Sequence, residues 1–313
     1  MNYKYDYDYE YELGPLCKLR DWVPINKLLY DSFLRNPNAI YMLEKTTDLI
    51  MSWRLLSTNI NASYLLEKNP KKIEWSLLSE NPEAIRLLEK NINKICWTTL
   101  SHNPNAIHLL EQNLNKVNWI WMSGNPGAIK LLEQNLDKIE WDVLCENPNA
   151  ISLLEKNPNK IHWDTLSRNP NAIHLLEQNF DKIDWDLLSG NPNAINILQQ
   201  NPDKIYWHGL SSNPNAVSML EQNPDKIDWQ TIIYNPNPDA MRIIEQNIDK
   251  INIHWDSTLE ELYMNPSIFV YDYDAMRSRM RLLAEDLIAN RFHPKNFDKW
   301  IGWGFDECQE CEF

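Results

Sequence analysis

The stretch Ser167–Ile195, "SRNPNAIHLLEQNFDKIDWDLLSGNPNAI", begins to copy itself before it ends. Asn169-Pro170-Asn171-Ala172-Ile173 returns as Asn191-Pro192-Asn193-Ala194-Ile195, a step of 22 residues. Trp keeps that step at 53, 75, 97, 119, 141, 163, 185, 207 and 229, with a Lys three residues before each from Lys72 to Lys226. Asn-Pro pairs keep it from Asn81-Pro82 to Asn235-Pro236. The chain is a tandem array, and a fixed period in this range is the mark of a solenoid.

Each unit reads as two short helices. Asn169 can N-cap, and Pro170 suits the first helical position. Ala172, Ile173, Leu175 and Leu176 form an apolar stripe; Asn179 ends that helix and can cap the next, whose apolar positions are Phe180, Ile183, Trp185 and Leu188. The spacing of the caps predicts helices of about 8–10 residues, too short to be stable alone. They must stack. A leucine-rich β solenoid shares the period, but the Pro after each cap, the Ala, Leu, Glu and Gln of the first half, and the absence of strict alternation favour helices. The expected fold is therefore all-α: an α-solenoid of 22-residue helix–turn–helix repeats with a helical C-terminal cap, drawn out as a rod or superhelix on the order of 100 Å long.

The ends drift from the pattern. Tyr30, in "INKLLYDSF", takes the Trp position of an incomplete leading unit, Ile60 stands where Pro belongs, Trp255 is displaced by insertions, and Asn265-Pro266 opens a last degenerate copy. Irregular terminal units suit a solenoid that must cap its exposed core. The chain divides into a Tyr/acidic leader (1–18), the repeats (19–264) and a C-terminal helical cap with an acidic tail (265–313). In the leader Tyr3, Tyr5, Tyr7, Tyr9 and Tyr11 alternate with mostly acidic residues, and this row is a candidate docking arm. In the cap, an amphipathic helix is expected near Asp274–Arg291, with Met276, Met280, Leu283, Leu287 and Ile288 on one side.

Comparing units within the chain separates architecture from variation. The Ala, Ile, Leu-Leu and Trp positions barely change and read as core. The recurrent Glu, from Glu67 to Glu221, and the Lys form ladders that suit solvated pairing. Three columns vary. Arg86, His108, Lys130, Ser152, His174, Asn196 and Ser218 form the candidate interaction surface. Glu80, His102, Gly124, Glu146, Arg168, Gly190 and Ser212 form a second column; Glu74, Cys96, Asn118, Glu140, His162, Asp184, Tyr206 and Asp228 form a third.

Formal net charge is −14, which repels phosphate backbones and disfavours nucleic-acid or anionic-membrane partners. No apolar run approaches the roughly 20 residues of a membrane span, and the N-terminus lacks a signal-peptide pattern. Five scattered Cys suit a reducing compartment. Phosphate-loop, dinucleotide-binding and hydrolase motifs are missing, so no catalytic residue, cofactor or metal site is expected, and the chain reads as non-enzymatic. Cys308 and Cys311 supply only two ligands, whereas structural zinc takes four.

The unit "LSxNPNAIxLLEQNxDKIxW", the ending "LLAEDLIANRFHPKNFDKW" and the opening "LRDWVPINKLLYDSFLRNPNAI" resemble the short-repeat proteins of giant nucleocytoplasmic DNA viruses. The resemblance covers roughly Leu19 to Glu307. It implies a viral protein of the infected-cell cytoplasm or the virion, not secreted. The implied role is interaction or structural: a scaffold for host or viral protein partners, or a minor capsid or cementing component. Apart from the resemblance, the Trp and Lys ladders leave a nucleic-acid-binding repeat protein as the weaker alternative.

Overall fold

The computed structural model describes residues 17–23, 31–40, 43, 52–251 and 256–286. The Tyr3–Tyr11 row, His254, Trp255, His293, Cys308 and Cys311 lie outside these residues. The chain forms two compact units: Arg20–Ile268, and a smaller one of Met1–Leu19 with Phe269–Phe313.

The larger unit is the helical repeat array that the sequence predicts. In the unit opened by Asn169, helices Ile173–Gln178 and Trp185–Ser189 flank a 3-10 turn, Phe180–Lys182. They are shorter than the expected 8–10 residues for two local reasons. The chain enters through Pro170-Asn171 in a turn that delays the first helix to Ile173. Asn179 then stops it, at φ −132° and ψ 51°, and its amide donates to the Leu175 carbonyl at 3.0 Å. The second helix starts on Asp184, whose carboxylate accepts from the backbone N–H of Asp186 and Leu187 at 3.0 Å.

Packing follows the expected core only in part: Phe180, on the 3-10 turn, is 45% exposed and Ile173 is half-buried. Ala172, Leu176 and Leu188 are fully buried, and Leu175 and Ile183 nearly so. The Trp side chains are not core: Trp163, Trp185 and Trp207 are only half-buried. Each is covered by the Lys of the following unit, Lys182 over Trp163 at 4.5 Å from the ring centroid and Lys226 over Trp207 at 4.9 Å. The Lys ladder is thus largely a cation–π ladder rather than solvated ion pairing.

Polar groups, not only apolar ones, join the units. The Asn that opens each unit is buried; its amide donates to the carbonyl of the Asn opening the preceding unit and to a carbonyl at the end of the unit before that, while its oxygen accepts a local N–H. For Asn169 these bonds run to Cys145 O at 2.8 Å and Asn147 O at 2.9 Å, and from Asn171 N at 2.9 Å. A second ladder comes from the Asn two residues on: Asn171 donates to Pro148 O and Asn193 to Pro170 O, both at 2.8 Å. Gly127 replaces this Asn in one unit; a Cβ there would lie 2.7 Å from Pro104 O, so the backbones approach too closely for a side chain. A third ladder was not anticipated. The buried Ser four residues after the Trp donates to its own helix and accepts an N–H from the next unit: Ser167 to Trp163 O at 2.8 Å, and Asp184 N to Ser167 at 3.0 Å. Cys145 takes this place once, accepting from His162 N at 3.3 Å.

These ladders do not stop at the ends. Asn265 donates to Ile233 O and Asn235 O, and Asn36 in turn donates to Tyr263 O at 2.9 Å and Asn265 O at 3.0 Å. Asn38 continues the second ladder onto Pro266 O at 3.1 Å. The bond that joins neighbours elsewhere joins the last copy to the first. Eleven such Asn (36, 59, 81, 103, 125, 147, 169, 191, 213, 235 and 265) complete the circuit.

The array of the larger unit is therefore a closed ring, and the expected open rod is corrected. The two incomplete end copies are complementary halves. The C-terminal one supplies Asn265-Pro266-Ser267-Ile268, the N-terminal one supplies Asp31–Arg35 in the place of a second helix, and together they make one unit. Asp31–Arg35 packs between Asp256–Met264 and Trp53–Leu56. Phe33 meets Tyr263 edge-on, with ring centroids 6.2 Å apart, and both are buried. Arg20 clasps the junction from the N-terminal side, its backbone N–H reaching Ile268 O at 2.9 Å and its guanidinium Ser267 O at 3.0 Å. What shelters the last repeat is the first.

The smaller unit pairs Cys17–Leu19 antiparallel with Phe269–Tyr271, in the register Cys17 opposite Tyr271 and Leu19 opposite Phe269. A helix, Tyr273–Asp286, follows, with Asp272 accepting from Ala275 N at 3.0 Å. This helix falls within the one expected near Asp274–Arg291, whose end, with Leu287 and Ile288, lies outside the described residues; Met280 is 66% exposed, so the apolar side is not buried at that point.

Candidate interaction surfaces

Around the ring, successive second helices pack closely on one another, whereas successive first helices do not. Wedge-shaped units are closest at the inner edge of a ring, so the second helices form the inner wall and the first helices the outer one.

The predicted surface lies on the outer wall. Arg86, His108, Lys130, Ser152, His174, Asn196 and Ser218 all occupy the second position of a first helix and are all exposed. They form one column, and part of it is engaged with the Glu ladder: His108 lies 2.9 Å from Glu89 and His174 3.1 Å from Glu155, each one unit back. Arg242, which continues the column, lies 3.1 Å from Glu221. Other ladder Glu take a Lys instead, Glu67 with Lys90 at 3.4 Å and Glu133 with Lys156 at 3.2 Å. These are exposed pairs, worth little each.

The third variable column sits at the entry of the second helices, and some of its members cap them by side chain. Asp184, Asn118 and Asp228 accept backbone N–H groups there. Asp228 also accepts from His208 Nδ1 at 2.8 Å. Burial pushes the Asp228 carboxyl up, but the bonds from His208 and from the N–H groups of Gln230 and Thr231 outweigh it, leaving its pKa below the ordinary value.

Two positions on the second helix face the lumen, one and five residues after the Trp. At 100° per residue they lie roughly opposite the buried Leu. The five-after position is the second variable column; the one-after position was not singled out from sequence. Its residues are Arg54, Ser76, Thr98, Ile120, Asp142, Asp164, Asp186, His208 and Gln230, exposed except for the half-buried Ser76. Glu146 pairs with Arg168 at 3.3 Å, and His162 lies 4.0 Å from Asp142. Ile120 is 55% exposed in a column otherwise polar, and the neighbouring Trp121 is 46% exposed. Comparing copies at this position would have shown Ile120 in the sequence.

The geometry defines a class: a closed α-helical repeat ring whose invariant residues hold the units together and whose varying side chains line its inner and outer walls. A family model described as Periplasmic copper-binding protein (NosD) matches residues 41–248, about two thirds of the chain, and the chain belongs to that family. The matched region is the repeat array itself. Neither the curated proteins nor the solved structures give a match.

The family description raises copper, and the donors do not fit it. Copper sites gather several imidazole or sulfur ligands. Here Cys145 is buried in the Ser ladder, Cys96 sits at a helix cap, and His108, His162, His174 and His208 each meet a single carboxylate in another unit. Among the described residues no three His, Cys, Asp or Glu are grouped to hold a metal.

Proposed function

We propose that this chain is a non-enzymatic scaffold for protein partners, of viral origin, acting in the infected cell. The observation that carries the reading is the division of labour among its residues. Asn, Pro, Ser, Lys and Trp of the repeats are committed to joining neighbouring units, and diversity is concentrated in exposed columns on two walls. A rigid frame with varied faces is how repeat proteins present surfaces to partners.

The Trp ladder, whose rings could offer stacking faces to bases, is largely covered by Lys from the next unit, and the net charge of −14 opposes nucleic acid. Viral origin rests on the resemblance of the repeat unit and the C-terminal segment. The family's copper description is not carried into this reading, because the His and Cys of the described residues are dispersed around the ring.

Proximity labelling in infected cells, followed by reconstitution with purified candidates, tests the scaffold. A defined partner that cross-links to wall residues supports it; the absence of any saturable partner refutes it. A virion role is the competing outcome, and finding the chain in purified particles at stoichiometric levels would select that reading.

A further inference from the structure

The inner wall breaks its own pattern at one place. Eight of the nine residues one position after the Trp are polar, and the ninth is Ile120. The next position is half-buried or buried Leu, Thr, Val or Gly in the other units, but Trp121 in this one, standing 46% exposed. Trp121 is held on one side by the His102 ring, centroids 5.3 Å apart and nearly perpendicular. Its fixed orientation leaves the rest of the indole to solvent. Nothing in the ring's own packing calls for two large apolar side chains at this point, and a localised exposed apolar patch marks a contact site.

The charge beside it is mostly negative. The helix Trp119–Gly124 packs against Trp141–Glu146, which packs against Trp163–Ser167, which packs against Trp185–Ser189. The residues matching Ile120 on those three helices are Asp142, Asp164 and Asp186. Asp142 and Glu146 are partly answered by His162 and Arg168. Asp164 and Asp186 are exposed, and among the described residues neither has an ion-pair partner within 4 Å; Arg168, one turn on from Asp164, is turned to Glu146. An apolar anchor thus opens onto an acidic track across three successive units.

We infer that this part of the inner wall, Ile120 and Trp121 with Asp142, Asp164 and Asp186, is a docking site for a partner protein's basic segment carrying a large apolar side chain. The apolar residue rests on Ile120 and Trp121, and Lys or Arg side chains follow the acidic track. Aromatic anchors supply most of the energy of such contacts, and surrounding charge supplies steering and specificity. The inference rests on the scaffold reading and names its partner class.

The test uses the full chain and fluorescein-labelled peptides built of Lys-Lys-Leu, Lys-Lys-Gly or Glu-Glu-Leu triplets, followed by anisotropy. Saturable binding of the Lys-Lys-Leu peptide is expected, weakened at least about tenfold by Trp121→Ala and by Asp164→Asn with Asp186→Asn, and weakened by salt. Gln178→Ala, exposed at the end of a first helix on the outer wall, should leave it unchanged. Both variants change exposed side chains, and their helicity and urea midpoints should match wild type; Ile120→Ser provides a second lesion if Trp121→Ala unfolds. Equal binding of Lys-Lys-Gly, or binding indifferent to Trp121 and the Asp pair, overturns the inference. If partners found by proximity labelling bind the Trp121→Ala chain as tightly as wild type, the scaffold survives and this site does not.

Discussion

Asn169 offers the sharpest test of how the ring is held. Its side chain is fully buried and makes three hydrogen bonds, two to carbonyls of the two units before it and one as an N-cap. Replacement by Ala removes a cap worth about 1 kcal/mol and two buried bonds worth about 1–1.5 kcal/mol each, a loss of about 3–4 kcal/mol. Asn171→Ala is the control, since it removes one exposed bond to Pro148 O, worth about 0.5 kcal/mol. Asn169→Asp sharpens the comparison. It keeps the cap acceptor but lacks the NH2 donor, and it sets a carboxylate against two carbonyl oxygens. That environment raises its folded pKa, so the variant loses stability as pH rises from the unfolded value of about 3.9 through the raised one. Its deficit should be smaller at about pH 5 than at neutral pH. Urea unfolding followed by far-ultraviolet circular dichroism reads all three. The reasoning fails if Asn169→Ala costs no more than Asn171→Ala, or if the Asp deficit is the same at both pH values.

Ring closure can be tested by hydrogen exchange: Asn36→Ala with Asn38→Ala should deprotect amides around Leu262–Ile268 by about tenfold or more, while Asn147→Ala with Asn149→Ala should not; unchanged protection in the first variant would mean the ends are not joined by these bonds. Burial pushes the Cys145 thiol up, whereas at Cys96 hydrogen bonds with Thr99 and Thr98 outweigh burial and lower it. Native alkylation should therefore label Cys96 well before Cys145, and equal rates would contradict the ladder position of Cys145. Lys182→Gln should cost about 0.5–1 kcal/mol and alter Trp163 emission, whereas Lys160→Gln should leave Trp163 emission unchanged. Because the folded pKa of Asp228 is lowered, its contribution is full above the ordinary carboxylate range and is lost as pH falls through the lowered value; the deficit of Asp228→Asn should shrink on acidification, and a constant deficit would contradict the pairing with His208.

Local rules were enough to read the repeating unit. The 22-residue step, the Asn-Pro entry, the Leu-Leu core and the Asn179 stop all act within one copy, so they are visible along the chain. The halves of the closing unit were visible too, as a Tyr30 copy without a beginning and an Asn265 copy without an end. Their meeting was not. Closure requires a turn of roughly 33° per unit to accumulate to a full circle over eleven units, and that small angle is set by packing of all the copies, not by any one residue. The same holds for the site. The seven-residue outer column was legible because its variation shows in the sequence, but which wall it occupies depends on the sign of the curvature. Trp looked like core by its spacing with Ile and Leu; only the tertiary structure brings the Lys nineteen residues onward across its face. The Ser ladder escaped for a similar reason, since a hydroxyl that bonds its own helix and a backbone N–H seventeen residues on gains its meaning from the neighbour stacked against it.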